Sequence, residues 1–284
     1  MPKRSQDSES AYQVSSMDES IVDFENPPVS EVVCGVGFTK PDNFTSPYMG
    51  LFWSTVRDEF PVAEVKPPLP PPGSEFNFIL SDTPPPPRYF LRTREGDELL
   101  QLQENRFLYN WLQTQRNPKY PRYKNVIKRF HKLRKQFEMF LQDHDLQQMA
   151  VRELRLTYVN HIMEGEGWNN LADVGKIFPN FQLKQRGRRY LRGPTGWNFK
   201  TWFPVKDRNS RLQVTIRNGI KKIAEDPEQR LYVLDLTVIG DVVDPSQGEL
   251  QRWFDMAREA IDLSFLDLTS SKIQNEIWKV QEHA

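Results

Sequence analysis

Twice along this chain a pair of alternating apolar–polar segments with a short connection is followed by a long amphipathic helix pattern, and this repetition narrows the folds open to it. The first pair is Tyr89–Arg94 and Leu99–Phe107, read as two strands joined across Gly96–Asp97, a hairpin signal. The helix pattern after it, Tyr120–Asp143, returns an apolar residue every three or four positions from Tyr123 through Val126, Phe130, Leu133 and Phe137 to Leu141. Pro121 then falls in the first turn, where a missing N–H does no harm. In the second half Leu212, Val214 and Ile216 mark one strand face, and Tyr232, Leu234, Leu236 and Val238 another. A helix over Gly248–Leu268 follows, opened by Ser246 with Glu249 at capping-box spacing, and its inner face runs Leu250, Trp253, Phe254, Ala257, Ile261, Phe265.

Each set has a further strand ahead of it. In the first, Val32, Cys34, Val36 and Phe38 point one way and Val33, Gly35 and Gly37 the other, a strand closely covered on its small-residue side. In the second, Leu154, Leu156, Tyr158, Asn160 and Ile162 share a face. Short connections select antiparallel pairing, because parallel strands need a crossover of about a dozen residues or more. The expected fold is therefore α+β: an antiparallel sheet with packed helices, built as a tandem pseudo-repeat of a strand–hairpin–helix unit. The units are residues 27–146 and 147–284, although residue identity between them is poor. Shorter helices are expected over Met49–Phe60, with Leu51, Phe52 and Val56 inward, and over Ser271–Val280. The stretch from Met163 to Arg208 has no clear pattern.

Composition sets the boundaries. Residues 1–26 hold two bases against six acids, with many serines and little periodicity, so they are expected to form a disordered acidic tail. Residues 61–87 carry ten of the 22 prolines and read as a stiff surface connection in preference to a ligand for a proline-binding groove. The chain balances 38 Lys and Arg against 38 Asp and Glu and has one cysteine. No apolar run approaches the ~20 residues of a spanning helix. The expectation is a soluble, cytoplasmic protein with no membrane contact.

Chemistry-bearing motifs are few. There is no glycine-rich phosphate loop, no GxSxG elbow and no HExxH helix. Four scattered histidines and a lone cysteine give no metal-ligand spacing, so neither metal nor cofactor is expected. His161, beside Glu164 and Glu166, is the best candidate for a general base, but without a nucleophile it reads more readily as a strand residue next to a polar loop. Cys34 lies on an apolar strand face, where its thiol would be buried and inert. No enzyme is expected.

Two basic clusters stand out. One lies in the central helix and includes Arg122, Lys124, Lys128 and Arg129; the other is Lys184, Arg186, Arg188, Arg189 and Arg192. With Tyr190, Trp197, Phe199, Trp202 and Phe203 close in sequence to the second, the mixture suits phosphates and unpaired bases. Against this, residues 225–262 hold ten acids and three bases, an acidic surface that can meet the basic ones within the molecule or across a dimer. A protein partner is preferred, with nucleic-acid binding as the alternative.

Several segments then align with a known pattern: PPVSEVVCGVGF, GLFW, LLQLQENRFLYNW, YPRYKNVIKRF and YVNHI. In order and spacing they resemble a sporadically distributed bacterial family known by a catalogue number, over about residues 26–280. The match falls on Gln101, Gln103, Arg106, Asn110 and Trp111, on Tyr120, Pro121 and Tyr123, and on Tyr158 and Asn160. It departs at Leu112 and Thr157, where the family commonly has basic residues, so no charge-dependent role carries over there. The family has no established enzymatic activity for the resemblance to carry over. Its patchy occurrence implies genes that move between bacteria, as in defence or toxin-neutralising systems. The matched polar residues read as a structural cluster, with Gln101 and Gln103 sharing a strand face, or alternatively as a binding site. The expected function is a non-catalytic interaction or accessory protein that works through a protein partner or a second copy of itself.

Overall fold

The computed structural model describes residues 22–69, 86–182, 190, 193–206, 209–222, 228–242 and 246–281. In chain order the elements are β1 (Asp23–Phe24), β2 (Val29–Thr39), α1 (Ser46–Val56), β3 (Val62–Lys66), β4 (Arg88–Arg92), β5 (Glu98–Gln103), β6 (Arg106–Leu112) and α2 (Tyr123–Asp143). The second half runs β7 (Ala150–Met163), a 3-10 turn at Leu171–Asp173, α3 (Val174–Ile177), β8 (Asn198–Pro204), β9 (Ser210–Lys221), β10 (Gln229–Asp241) and α4 (Gln247–Leu268). It ends in α5 (Ser271–Ile273), a π turn at Gln274–Trp278 and β11 (Val280–Gln281).

Among the described residues nine strands form one antiparallel sheet in the order β3-β4-β5-β6-β2-β7-β10-β9-β8. The chain path is similar on both sides of the β2–β7 seam, with a four-strand meander in the first half and a three-strand one in the second. Each half opens on its central strand, meanders in from the sheet edge, and lays the last strand of the meander against the first, β6 on β2 and β10 on β7. A helix follows each meander. The seam itself is long, running from Val29 opposite Asn160 to Thr39 opposite Ala150.

Alternation decides which face is covered. Val32, Cys34 and Val36 of β2, Leu154 and Leu156 of β7, and Leu234 and Leu236 of β10 all enter one contiguous core. Burying each large apolar side chain contributes roughly 1.5–3 kcal/mol, so this face fixes the register. The helices α1, α2 and α4 cover it. Phe52 of α1 stacks edge-on against Phe137 of α2 at 4.9 Å, and Phe130 of α2 meets Phe254 of α4 at 5.3 Å. On the other face Gly35 has no room for a Cβ, because the Leu108 side chain from β6 lies directly over it.

Several sequence expectations shift. The segment Leu99–Phe107 is two strands, β5 and β6, turned at Glu104–Asn105 without the glycine or proline that usually announces a turn. In α1 the inner residues are Met49, Phe52 and Val56, while Leu51 is 48% exposed, since it sits two positions from Met49 and so on the opposite side. Pro121 precedes α2 instead of opening it. Met163 to Arg208, unassigned from sequence, holds α3 and the edge strand β8. The end of the expected acidic tail is also structured. Asp23–Phe24 pairs with Val280–Gln281, and Phe24 is buried against Phe265 and Trp278 at 5.6 and 6.2 Å. Phe24 anchors this acidic segment to the core. Residues 1–21, and 70–85 of the proline-rich connection, lie outside the described residues.

Candidate functional site

At one end of the seam, where β2 begins and β7 ends, two adjoining cavities share a wall beside the N-terminus of α2; the smaller reaches the C-terminal half of α4, the larger the π turn at Trp278. The smaller measures about 260 Å³ and the larger about 660 Å³. They share Pro27, Pro28, Val29, Tyr120 and Arg122 as walls.

Sequence places these walls for simple reasons. The tandem prolines stop any continuation of β2 and leave the chain extended across the opening. Arg122, at the N-cap of α2, has φ 71° and ψ 150°, a region that is essentially glycine territory and costs on the order of 1–3 kcal/mol for other residues. No side chain caps that helix end and no acid lies in its first turn. The positive end of a 21-residue helix therefore faces the cleft with its dipole uncompensated by the helix's own sequence.

The smaller cavity is floored by hydroxyls and one ion pair. Tyr120 and Tyr158 join hydroxyl to hydroxyl at 2.8 Å, and Arg258 reaches Asp262 at 3.3 Å. Arg258 also lies over the Tyr123 ring at 4.9 Å, and Tyr123 donates its hydroxyl to Asp255 at 2.9 Å. Burial pushes the Asp262 carboxyl up to about 7, against the opposing pull of Arg258, and nearby Asp23 pushes the same way as burial. Burial likewise holds both tyrosine hydroxyls above their ordinary range. Asp262 can thus gain or lose a proton near neutrality inside a cavity, beside a guanidinium. At the rim Arg122 pairs with Asp23.

The larger cavity adds His161, Glu166, Lys119, Lys221 and Trp278. His161 does not form the acid–base cluster expected of it. Glu164 is turned away to Arg230, at 2.8 Å from its Nε, and Glu166 accepts the Met163 N–H at 2.9 Å. Burial, then Lys221 and Arg217, lower His161 to about 4, so it is neutral at pH 7, and its buried Nδ1 has no hydrogen-bond partner. Trp278 is only 1% exposed and its indole N–H is also without a partner.

The polar cluster named from sequence divides between two places. Tyr123, Tyr158 and Asn160 line the smaller cavity, and Trp111 stacks on Tyr120 at 5.4 Å behind it. Gln101, Gln103, Arg106 and Asn110 lie on the opposite face of the sheet. There Arg88 donates to Gln101 at 2.8 Å, Gln101 to Asn110 at 2.9 Å, and Asn110 to Glu31. Arg106 bonds Glu153 at 3.2 Å and Gln103 accepts from the Leu69 N–H at 2.9 Å. Across the seam, Thr157 and Thr237 continue the polar row at 2.8 Å. Here the amides join strands to one another.

The first basic cluster separates by residue type. Arg129 is tied to Glu98 and Glu59 at 2.8 and 2.6 Å, and Arg134 is buried against Glu138. Lys128, Lys132 and Lys135 form an exposed stripe with no ion pair among the described residues, and Lys124 is exposed on the same side. Lys184, Arg186, Arg188, Arg189 and Arg192 lie outside the described residues. Of the aromatics near them, Trp197 bonds the Leu171 carbonyl at 2.9 Å and Phe199 packs on Phe181 at 4.6 Å, whereas Trp202 and Phe203 are 43% and 45% exposed. Cys34 is fully buried and its thiol is pushed up by desolvation. Among the described residues no three of His, Cys, Asp and Glu converge in a way that would hold a metal. No described helix is long and apolar enough to cross a membrane.

Sequence reading missed Arg258, Asp262 and Trp278. The first two read as an ordinary solvated i,i+4 pair, and only their position beside Ile261 hints that they border the core. Compared with protein-family models, with curated proteins and with solved structures, the chain has no match in any of the three.

Proposed function

We propose that the protein is a non-catalytic interaction component that works through a protein partner, engaged along the edge strand β8. The observation that supports this is the exposure of Trp202 and Phe203, 43% and 45%, on a strand that among the described residues pairs with β9 alone. Large aromatics left in water are the residues that anchor partner surfaces. The free N–H and C=O groups of an edge strand accept an added strand. The matching partner offers an extended, partly apolar segment; a second copy of the chain, β8 against β8, uses the same surface. Affinity capture from a bacterial host tests it. The double substitution Trp202→Ser/Phe203→Ser is expected to weaken the captured complex, or the homodimer, at least tenfold without lowering the melting temperature. A complex that survives the double substitution overturns the reading.

A second reading rests on the lysine stripe of α2. Lys128, Lys132 and Lys135 present like charge at helical spacing, which suits a phosphate backbone. Affinity for single-stranded nucleic acid that falls steeply with salt supports it, and no binding at low salt removes it. The resemblance supports a setting in a mobile defence or toxin-related system, to be tested by the identity of the captured partner. The matching chain path of the two halves supports an origin in one duplicated unit.

A further inference from the structure

We propose that the smaller cavity at the end of the β2–β7 seam binds a small carboxylic acid with an apolar body and a hydrogen-bond donor, hydroxyl or amine, on the carbon next to its carboxylate. The inference stands apart from the edge-strand reading, on different residues. It rests on polar groups that line this cavity with part of their bonding capacity unused.

The acceptor is Asn160. On β7 it continues the inward stripe of Leu154, Leu156 and Tyr158, where an apolar residue would serve packing alone. It is 2% exposed, and its amide N–H donates to the Leu234 carbonyl at 3.2 Å, which fixes the way the amide points. Its carbonyl oxygen makes no hydrogen bond among the described residues. Unlike the ring nitrogens of His161 and Trp278, that oxygen keeps accessible surface, and Asn160 lines the smaller cavity. A buried amide oxygen left in this way calls for a donor.

Three groups supply donors. The Tyr120 and Tyr158 hydroxyls carry two hydrogens between them, and their 2.8 Å bond uses one. The other has no acceptor among the described residues, although Tyr158 is only 4% exposed. Arg258 is held to Asp262 through its Nε at 3.3 Å, which leaves its two Nη groups to meet a carboxylate. Arg258 and Asp262 lie within electrostatic reach of both hydroxyls, so these groups share one end of the cavity. At the start of α2, Asn125 and Val126 turn their N–H groups to the Arg122 carbonyl, and the Tyr123 N–H before them bonds nothing among the described residues.

Charge and size agree. Among the described residues the walls carry Arg122, Lys124 and Arg258 against Asp23 and Asp262, and burial raises Asp262 to about 7, so the balance at neutrality is positive. Val29, Ile261 and Phe265 give the body of the ligand an apolar wall. The volume, about 260 Å³, lies just under the range of drug-sized sites and suits a ligand of amino-acid size.

Isothermal titration calorimetry of the full chain compares three acids with one carbon skeleton: leucine, 2-hydroxy-4-methylpentanoate and 4-methylpentanoate. The expected result is saturable binding of leucine or the hydroxy acid, at least tenfold tighter than 4-methylpentanoate. Whichever binds names the donor as amine or hydroxyl. Arg258→Gln should weaken that binding at least tenfold. Asn160→Leu, which suits the apolar stripe around it, should instead remove the preference over 4-methylpentanoate. Thermal melts establish that both variants fold. Should either not, Tyr120→Phe/Tyr158→Phe removes the spare hydroxyl hydrogen with little change of volume and should weaken binding at least fivefold. No saturable binding of any of the three acids up to roughly 10 mM, above the weak end of ordinary substrate affinities, overturns the proposal. So does binding of 4-methylpentanoate as tightly as the other two, or undiminished affinity in Arg258→Gln.

Discussion

The helices α2 and α4 occupy corresponding places and are built differently where they start. Each follows its meander, and each packs on the same sheet face, α2 over β2 and β6, α4 over β7 and β10. Yet α4 opens on Ser246, whose hydroxyl accepts the Glu249 N–H at 3.4 Å, with an acid in the first turn. At the start of α2, by contrast, Arg122 is held in backbone territory that suits glycine, with neither cap nor acid. The structural task is the same for both, so the task does not demand the strained start. What differs is the surroundings: the start of α2 borders the two cavities, and the start of α4 does not. The strained, uncapped start thus lies beside the two cavities and the capped start away from them.

The packing side of the comparison can be broken first, with the largest effects. Phe137 of α2 touches Phe38, Phe44, Phe52, Phe107 and Phe140, and Phe254 of α4 touches Phe130, His131 and Trp253; both phenylalanines are fully buried. Phe137→Ala and Phe254→Ala should each cost about 3–5 kcal/mol. Because the core is continuous across the seam, each should lower a single denaturant transition seen identically by near- and far-UV circular dichroism. Two separated transitions, one untouched by each substitution, would show the halves to be independent domains.

This continuity was partly legible in the sequence. Apolar period gave the sheet's covered face and both long helices, since a stripe such as Val126, Phe130, Leu133 and Phe137 has only one burial solution. It did not give the turn at Glu104–Asn105, because neither residue is needed for an unusual backbone angle there. Nor did it give β8, whose edge position leaves its residues half out of water and blurs the alternation. At the candidate site, the motif residues Tyr120, Tyr123, Tyr158 and Asn160 were found, but their partners Arg258 and Asp262 were not. A charged pair on a helix carries the same letters whether it faces solvent or a cavity; only tertiary packing distinguishes the two cases.

The two cavities differ in which protonation state burial favours, and pH can separate them. Asp262 is raised from 3.8 to about 7, so the folded chain keeps a proton that the unfolded chain has lost between those values. Its contribution therefore makes stability fall as pH rises from about 4 to about 7, by at most about 4 kcal/mol. His161 has the opposite sign. Lowered from 6.5 to about 4, it makes stability fall as pH drops through that interval, by less than the full shift implies because the partly exposed ring is screened by solvent. Urea midpoints across this range should lose the high-pH decline in Asp262→Asn and the low-pH decline in His161→Gln. Slopes are the quantity to compare, because Asp262→Asn also leaves Arg258 without its partner at every pH. Unchanged slopes in both variants would remove the distinction between the cavities.

The smallest effects test the helix starts themselves. Ser246→Ala removes the cap of α4 and should cost about 1 kcal/mol, read from thermal melts. Arg122→Gly acts on the equivalent place in α2, but three terms oppose one another. Glycine relieves the unfavourable φ, worth on the order of 1–3 kcal/mol, and loses about 1 kcal/mol of backbone entropy. The Arg122 pair with Asp23 also goes, but at 48% exposure for the arginine side chain it contributes no more than about 1 kcal/mol. The net change in stability should lie between about 1 kcal/mol of loss and about 2 kcal/mol of gain. Thermal melts of the two variants read the difference. If Arg122→Gly destabilises clearly more than Ser246→Ala, the start of α2 is a structural requirement like that of α4, and the contrast between the two helices carries no function.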